Sequence, residues 1–284
     1  MSELDSLELA NRLQRCMDDL PPLSPTISKV LQVVRRQEAS PGDLVQVIKL
    51  DPVLTARVLR LINSPFFGME NVTSVSRAVV MLGFNTVKNL VLSSALAGIL
   101  PQEERDASDE PWNHALAVGV SARALTRVMG MPRDEQEAAF IGGLMHDLGK
   151  ILTTRFFAHE MQQCRVLQET GLSELDAEMQ VLGTTHDVIG GMLARKWQFP
   201  SVLITSVEMH HNPPLEGPGW RESCITSLAN GMYYHLGMGS GQDGGSAMYL
   251  PTLWRVLGIS EYDCSKALEC IPEEIEAARI FLDR

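Results

Sequence analysis

Apolar residues recur at helical spacing along nearly the whole chain, and no run alternates polar and apolar positions in the manner of a strand. Such a chain can bury its apolar stripes only by packing helix on helix, so the pattern predicts an all-α, multi-helix protein. The helix starts are clearest in the N-terminal third. Ser24-Pro25, Ser40-Pro41 and Asp51-Pro52 each set a capping oxygen before a proline. Proline suits the first helical position because its φ is fixed and it has no N–H to leave unsatisfied. These pairs open expected helices near 25–37, 41–50 and 52–63, and Asn63-Ser64-Pro65 breaks the chain. Two more helices are expected near 74–82 and 84–99, with Gly83 as the C-cap between them. The acidic stretch from Pro101 to Pro111 carries little apolar content and reads as a solvated connection. It divides the chain into an N-terminal helical subdomain, 1–105, and a second subdomain, 106–284. Helices are expected in the second near 111–130, 134–150, 158–170, 185–197, 199–211, 221–236 and 261–282, with the Gly-rich stretch 237–245 as a mobile loop.

A length of 284 residues, 45% of them hydrophobic, supplies apolar area for a substantial core without a disulfide framework. The five cysteines are odd in number and form no CxxC pair, which fits reduced thiols in a cytoplasmic protein. Ser2, Glu3 and Asp5 stand where a secretory leader would be basic and then apolar. The uncharged apolar run from Asn89 to Gln102 is shorter than the roughly 20 residues a membrane span needs, so no membrane partner is expected. A net charge of −11 repels phosphate backbones, and no nucleic-acid partner is expected either.

Chemistry concentrates in the second half. From Ala138 to Lys150 an apolar helical run is interrupted by His146 and Asp147. Burying such groups unpaired costs about 2 to 7 kcal/mol for a neutral group and more for a charge. A divalent metal would satisfy both, since imidazole nitrogen and carboxylate oxygen are good ligands for first-row ions. Lys150, one turn beyond His146, could meet a phosphate oxygen. His114 lies on the inward stripe of its helix with Val118, Ser121, Leu125 and Val128, and Glu110 sits one turn earlier. His186 opens a helix, and His210-His211 close another. Adjacent helical residues diverge by about 100°, so this pair is expected to address two neighbouring metals, or one metal and a substrate. Each group has a simpler reading: Glu110 as a helix cap, His186 as part of a cap with Asp187, His114 as a hydrogen-bonded core histidine, His210-His211 as a pair favoured by a helix C-terminus. Together they weigh more, because five of only seven histidines are placed this way in one half of the chain.

At His146-Asp147-Leu-Gly-Lys150 the sequence resembles the HD superfamily of helical metal-dependent phosphohydrolases. The stretches Leu20–Leu31, Val47–Ser64, Ala78–Gly83, Trp197-Gln-Phe-Pro200 and His210-His211-Asn-Pro213 narrow the likeness to the HDOD branch, over about residues 20–235. The resemblance implies an N-terminal helical subdomain packed on an HD-type helical core. It also implies metal ligands at Glu110, His114, His146, Asp147, His186, His210, His211 and Asn230, with Lys150 near a phosphate. Asn230 stands where the family carries an aspartate. The segment after His211 lacks the Gly-Tyr-Pro signature of the HD-GYP relatives, which argues against cyclic di-GMP hydrolysis.

Two functions follow from the likeness. One is a bacterial regulatory protein whose mono- or dinuclear centre acts through a signalling protein partner or a phosphorylated or nucleotide ligand. The other is a working phosphohydrolase or phosphodiesterase, with Asp147 bridging two metals and Lys150 stabilising phosphoryl charge. A metal-free helical scaffold is the third possibility. The nitrogen-rich donor set suits iron, manganese, nickel or zinc, as one or two ions, better than magnesium or calcium.

Overall fold

The computed structural model describes residues 12–18, 23, 25–36, 38–69, 71–96, 110–237 and 251–279, without the side chains of 93–96, 110–112 and 251. The Ser24 cap, the acidic connection 101–109 and the Gly-rich stretch beyond 237 lie outside the described residues. Every regular element among the described residues is helical, and none is a strand.

The N-terminal half contains α1 (Pro25–Arg35), α2 (Pro41–Lys49), α3 (Pro52–Ile62), α4 (Val75–Leu82) and α5 (Phe84–Leu96). The expected caps form. Ser40 and Asp43 make a reciprocal capping box at α2, and the Asp51 carboxylate accepts from the Leu54 N–H at 3.0 Å at α3. Gly83 ends α4 with φ 86°, a backbone conformation that glycine adopts without steric cost. Between α3 and α4, the Asn63 side chain holds the loop closed: its Oδ1 accepts from the Val72 N–H at 2.8 Å and its Nδ2 donates to the Val72 carbonyl at 2.9 Å.

The second half runs α6 (Glu110–Val128), α7 (Arg133–Met145), α8 (Leu148–Phe156), α9 (Ala158–Glu169), α10 (Glu174–Leu182), α11 (His186–Lys196), α12 (Ser201–Glu208), α13 (Trp220–His235), α14 (Pro251–Leu257) and α15 (Glu261–Ala278). The single helix expected over 134–150 is two: α7 stops at Met145, His146 and Asp147 form a turn, and α8 begins at Leu148. The helix expected over 199–211 ends at Glu208, so His210 and His211 lie beyond it. Helices α10 and α14 are additions to the expected set. The start of α10 has a local cause, since the Ser173 hydroxyl accepts from the Asp176 N–H at 3.1 Å.

Helix α6 is central, packing on α7, α13 and α15, while α5 rests on α1, α3 and α4 and also on α7, joining the halves. A buried ion pair lies at that seam. Arg123 of α6 donates from Nε to Glu137 of α7 at 3.1 Å and from Nη1 to the Phe66 carbonyl at 3.1 Å. Its guanidinium also stands 4.1 Å from the centre of the Phe66 ring. Burial pushes the Glu137 carboxyl above its ordinary range, against the pull of Arg123. Residues 12–18, which the sequence groups with the first half, are helical, and Leu13 and Met17 pack with Leu152, Phe157, Leu182 and Ile189 of the second. Among the described residues no helix is long and apolar enough to cross a membrane.

Removing one partner of a buried pair strands the other charge. Arg123→Met should therefore cost about 3–5 kcal/mol in urea unfolding, and Arg123→Met with Glu137→Leu should recover most of it; equal losses in the single and double variants would contradict this account of the seam.

Candidate metal centre

Two glycine contacts bring distant imidazoles and a carboxylate together. On α7, a methyl group at Gly143 would lie 2.7 Å from the Val118 carbonyl and 2.8 Å from Gly119 Cα of α6. Only glycine permits that approach, and it brings His114 Nε2 to 3.1 Å from His146 Nε2. On α8, a methyl at Gly149 would run into the His186 carbonyl and stand 2.8 Å from Gly190 N of α11. The resulting backbone contact sets His186, the first residue of α11, beside Asp147, the residue before α8.

Asp147 is the hub. Its Oδ2 lies 3.4 Å from His114 Nε2, 3.3 Å from His146 Nε2 and 3.1 Å from Lys150 Nζ. Its Oδ1 faces the other way, 3.2 Å from His186 Nε2 and 3.8 Å from His210 Nε2. His211 Nε2 completes the second group at 3.1 Å from His186 Nε2. Beside it, the α10 carboxylates Glu174 and Glu178 form a further cluster with His186. Glu174 holds Lys150 Nζ at 2.9 Å.

Ring orientations are set from behind. Nδ1 of His146 meets the Gly143 carbonyl at 2.7 Å, and Nδ1 of His210 meets the Val207 carbonyl at 2.8 Å. A carbonyl can only accept, so each Nδ1 carries a hydrogen, and in the neutral ring Nε2 is then the lone-pair donor facing the centre. Two donors about 2.0–2.1 Å from one ion, at right or tetrahedral angles, stand about 2.8–3.4 Å apart. The spacings of 3.1, 3.3 and 3.4 Å among His114, His146 and Asp147 fall in that range. Asp147 Oδ1 and His210 Nε2 are buried and make no well-formed hydrogen bond. That is the condition in which a cation would satisfy groups the protein leaves unpaired.

Charge is distributed unevenly among the imidazoles. Burial, with the neighbouring His146 next, depresses His114 to about 3, and burial with the neighbouring His186 depresses His211 to about 3. Burial, followed by His211, holds His210 well below its ordinary value. His186 differs: burial and Lys150 would lower it, yet Glu178 and Asp147 outweigh them and raise it to about 10. Burial would raise Asp147, but His146 and Lys150 hold it well below the usual carboxylate range.

Of the expected ligands, His114, His146, Asp147, His186, His210 and His211 come together. Glu110 opens α6 one turn before His114, with its side chain outside the described residues. Asn230 is buried on α13, and its Oδ1 has no hydrogen bond. Elsewhere on α13, the ring centres of Tyr233 and Tyr234 lie 4.5 and 5.7 Å from that of His114. The expected divergence of His210 and His211 does not occur. They lie past the end of α12, where helical rotation no longer applies, and their ring centres are 4.1 Å apart. Lys150 is tied down by Asp147 and Glu174 and does not stand free for an anion. Sequence reading missed Glu174 and Glu178, for which the only local signal is the Ser173 cap ahead of an acidic first turn.

The HDOD domain family model matches residues 20–213. The chain belongs to the HDOD domain family. This HDOD chain is 29% identical, over 218 residues, to an uncharacterized protein of Treponema pallidum (strain Nichols), covering 75% of the chain and 41% of the relative. It thus spans about two fifths of the length of that curated relative. A solved structure from Shewanella amazonensis SB2B, named as a candidate phosphohydrolase, matches with a TM-score of 0.75 at 25% identity, over 95% of this chain and 98% of that one. An HDOD domain protein of unknown function from Geobacter sulfurreducens matches with a TM-score of 0.76 at 21% identity, over 98% of each chain, a likeness of fold.

The glycine contact at α8 gives a direct test of how this HDOD site is assembled. Gly149→Ala should force α8 and α11 apart and cost at least the roughly 1–3 kcal/mol of core overpacking, seen as a lower urea midpoint; an unchanged midpoint would mean that the approach does not constrain His186.

Proposed function

We propose that the protein is a metal-dependent regulatory module: one or two divalent ions of iron, manganese, nickel or zinc, held by His114, His146, Asp147, His186, His210 and His211, set a state that a signalling protein partner reads. The observation that carries this reading is the Asp147 carboxylate, whose two oxygens face two separate histidine groups. One carboxylate so placed can serve two ions, and imidazole with carboxylate is a donor set for first-row transition metals. Glu110 and Asn230 remain candidates for additional ligands.

Binding is favoured over turnover by the state of Lys150, whose ammonium is held between Asp147 and Glu174. A partner surface is supported by apolar side chains left in solvent on the N-terminal half: Leu50 and Val53 at the α2–α3 corner, and Val80 and Met81 near the end of α4. All five cysteines are free, which supports a reducing compartment such as the cytoplasm.

The second reading, a phosphohydrolase acting on a nucleotide or other phosphoester, is favoured by the likeness to the Shewanella protein and by the same bridging placement of Asp147. Bound ions would supply Lewis-acid polarisation and a water of lowered pKa. The chain's own contribution would be to orient the imidazoles through the Gly143 and Val207 carbonyls and to keep Lys150 beside Asp147.

Protein purified without chelator or nickel resin should carry between one and two ions per chain by elemental analysis, and His146→Ala should lose at least half of them; metal-free protein from metal-replete cells would rule the reading out. Because a cation must displace the proton His186 holds up to about 10, apparent affinity should keep rising with pH beyond 6.5, the ordinary histidine value. An affinity that levels off near 6.5 would show that His186 is not a ligand. Phosphoester hydrolysis by the loaded protein, abolished in Asp147→Ala, would transfer the conclusion to the second reading.

A further inference from the structure

The two histidine groups are supported unequally, and the difference lies in α10. Glu178 is fully buried and directs both oxygens at His186. Its Oε2 accepts from the His186 backbone N–H at 2.8 Å and lies 2.8 Å from His186 Nδ1, with Oε1 3.0 Å from the same nitrogen. Thr185 supplies no side-chain cap to α11, so Glu178 reaches across from another helix to take that role. A buried anion held against an N–H and an imidazole favours positive charge on that ring. A cation on the far nitrogen, in place of the proton there, supplies it, since a carboxylate behind an imidazole raises its basicity as a ligand.

The other group has no such support. His146 is backed by the neutral carbonyl of Gly143. His114 Nδ1 is buried and makes no hydrogen bond, so no acceptor fixes its tautomer. On this side, too, Asp147 Oδ2 is already in contact with Lys150 Nζ at 3.1 Å, and an arriving cation must share that oxygen with a fixed positive charge. Asp147 Oδ1, facing His186 and His210, is free of that contact.

We propose that the centre is asymmetric: Glu178, as a positioning residue, makes the His186–His210–His211 group the tight cation subsite, and the His114–His146 group is the exchangeable one. The inference rests on the metal-centre reading and adds an order of loading to it. The exchangeable subsite is then the one whose occupancy can follow the metal supply, while the tight one stays filled and holds α8 against α11.

Chelator-treated protein titrated with cobalt(II), followed through the cobalt visible spectrum, tests this. The wild type should bind in two steps separated by at least tenfold in affinity. Glu178→Gln should weaken the tight step by about 10–100-fold and leave the weak step in place, and Glu178→Asp should restore part of the loss. His114→Ala should remove the weak step alone. Thermal melts by circular dichroism identify any variant that fails to fold, and the His114→Ala arm stands independently of the Glu178 variants. The inference is overturned if two equivalent ions bind the wild type, if folded Glu178→Gln keeps the tight step, or if His114→Ala abolishes it. A wild type that binds no cobalt would instead overturn the metal-centre reading beneath it.

Discussion

A single carboxylate at a helix break organises the second half of the molecule. Asp147 sits between α7 and α8, and its placement there, outside either helix, lets one oxygen face α6 and α7 and the other face α11 and the segment after α12. An uninterrupted helix would fix the residue to one face. The turn at His146-Asp147 therefore allows one side chain to meet histidines from both sides. The close helix approaches at Gly143 and Gly149 follow the same demand, since a β-carbon at either would push back the imidazoles that Asp147 meets.

The helices that carry the site also carry the seam between the halves. On α6, Arg123 is nine residues after His114, and on α7, Glu137 is nine residues before His146, so two antiparallel helices pair twice: once as His114–His146 and once as Arg123–Glu137. At a rise of about 1.5 Å per residue the two pairings are about 13 Å apart. The second grips Phe66 of the N-terminal half through its carbonyl and its ring. Arg133, also on α7, donates to the Phe67 carbonyl at 2.9 Å. These contacts join the two helices of the centre to the loop after α3.

Helical class, the Ser40, Asp51 and Gly83 boundaries and most of the cluster were legible because each rests on local rules: capping oxygens before proline, glycine after a helix, and polar groups set in apolar runs. What was not legible depends on tertiary contact. The break at Asp147 follows from no proline and no cap, and the Gly149–Gly190 approach pairs residues far apart in sequence. Glu178 looks like an ordinary helix acid until its carboxylate meets the first residue of α11. The expected spread of His210 and His211 failed because it assumed one more turn of helix than α12 has.

Diffraction from crystals grown with manganese(II), recorded above and below its absorption edge, addresses the bridging role of Asp147 directly. The account predicts two anomalous peaks, one within bonding distance of each Asp147 oxygen, the first flanked by His114 and His146 and the second by His186, His210 and His211. Well-ordered histidines with no anomalous density beside either oxygen would contradict it.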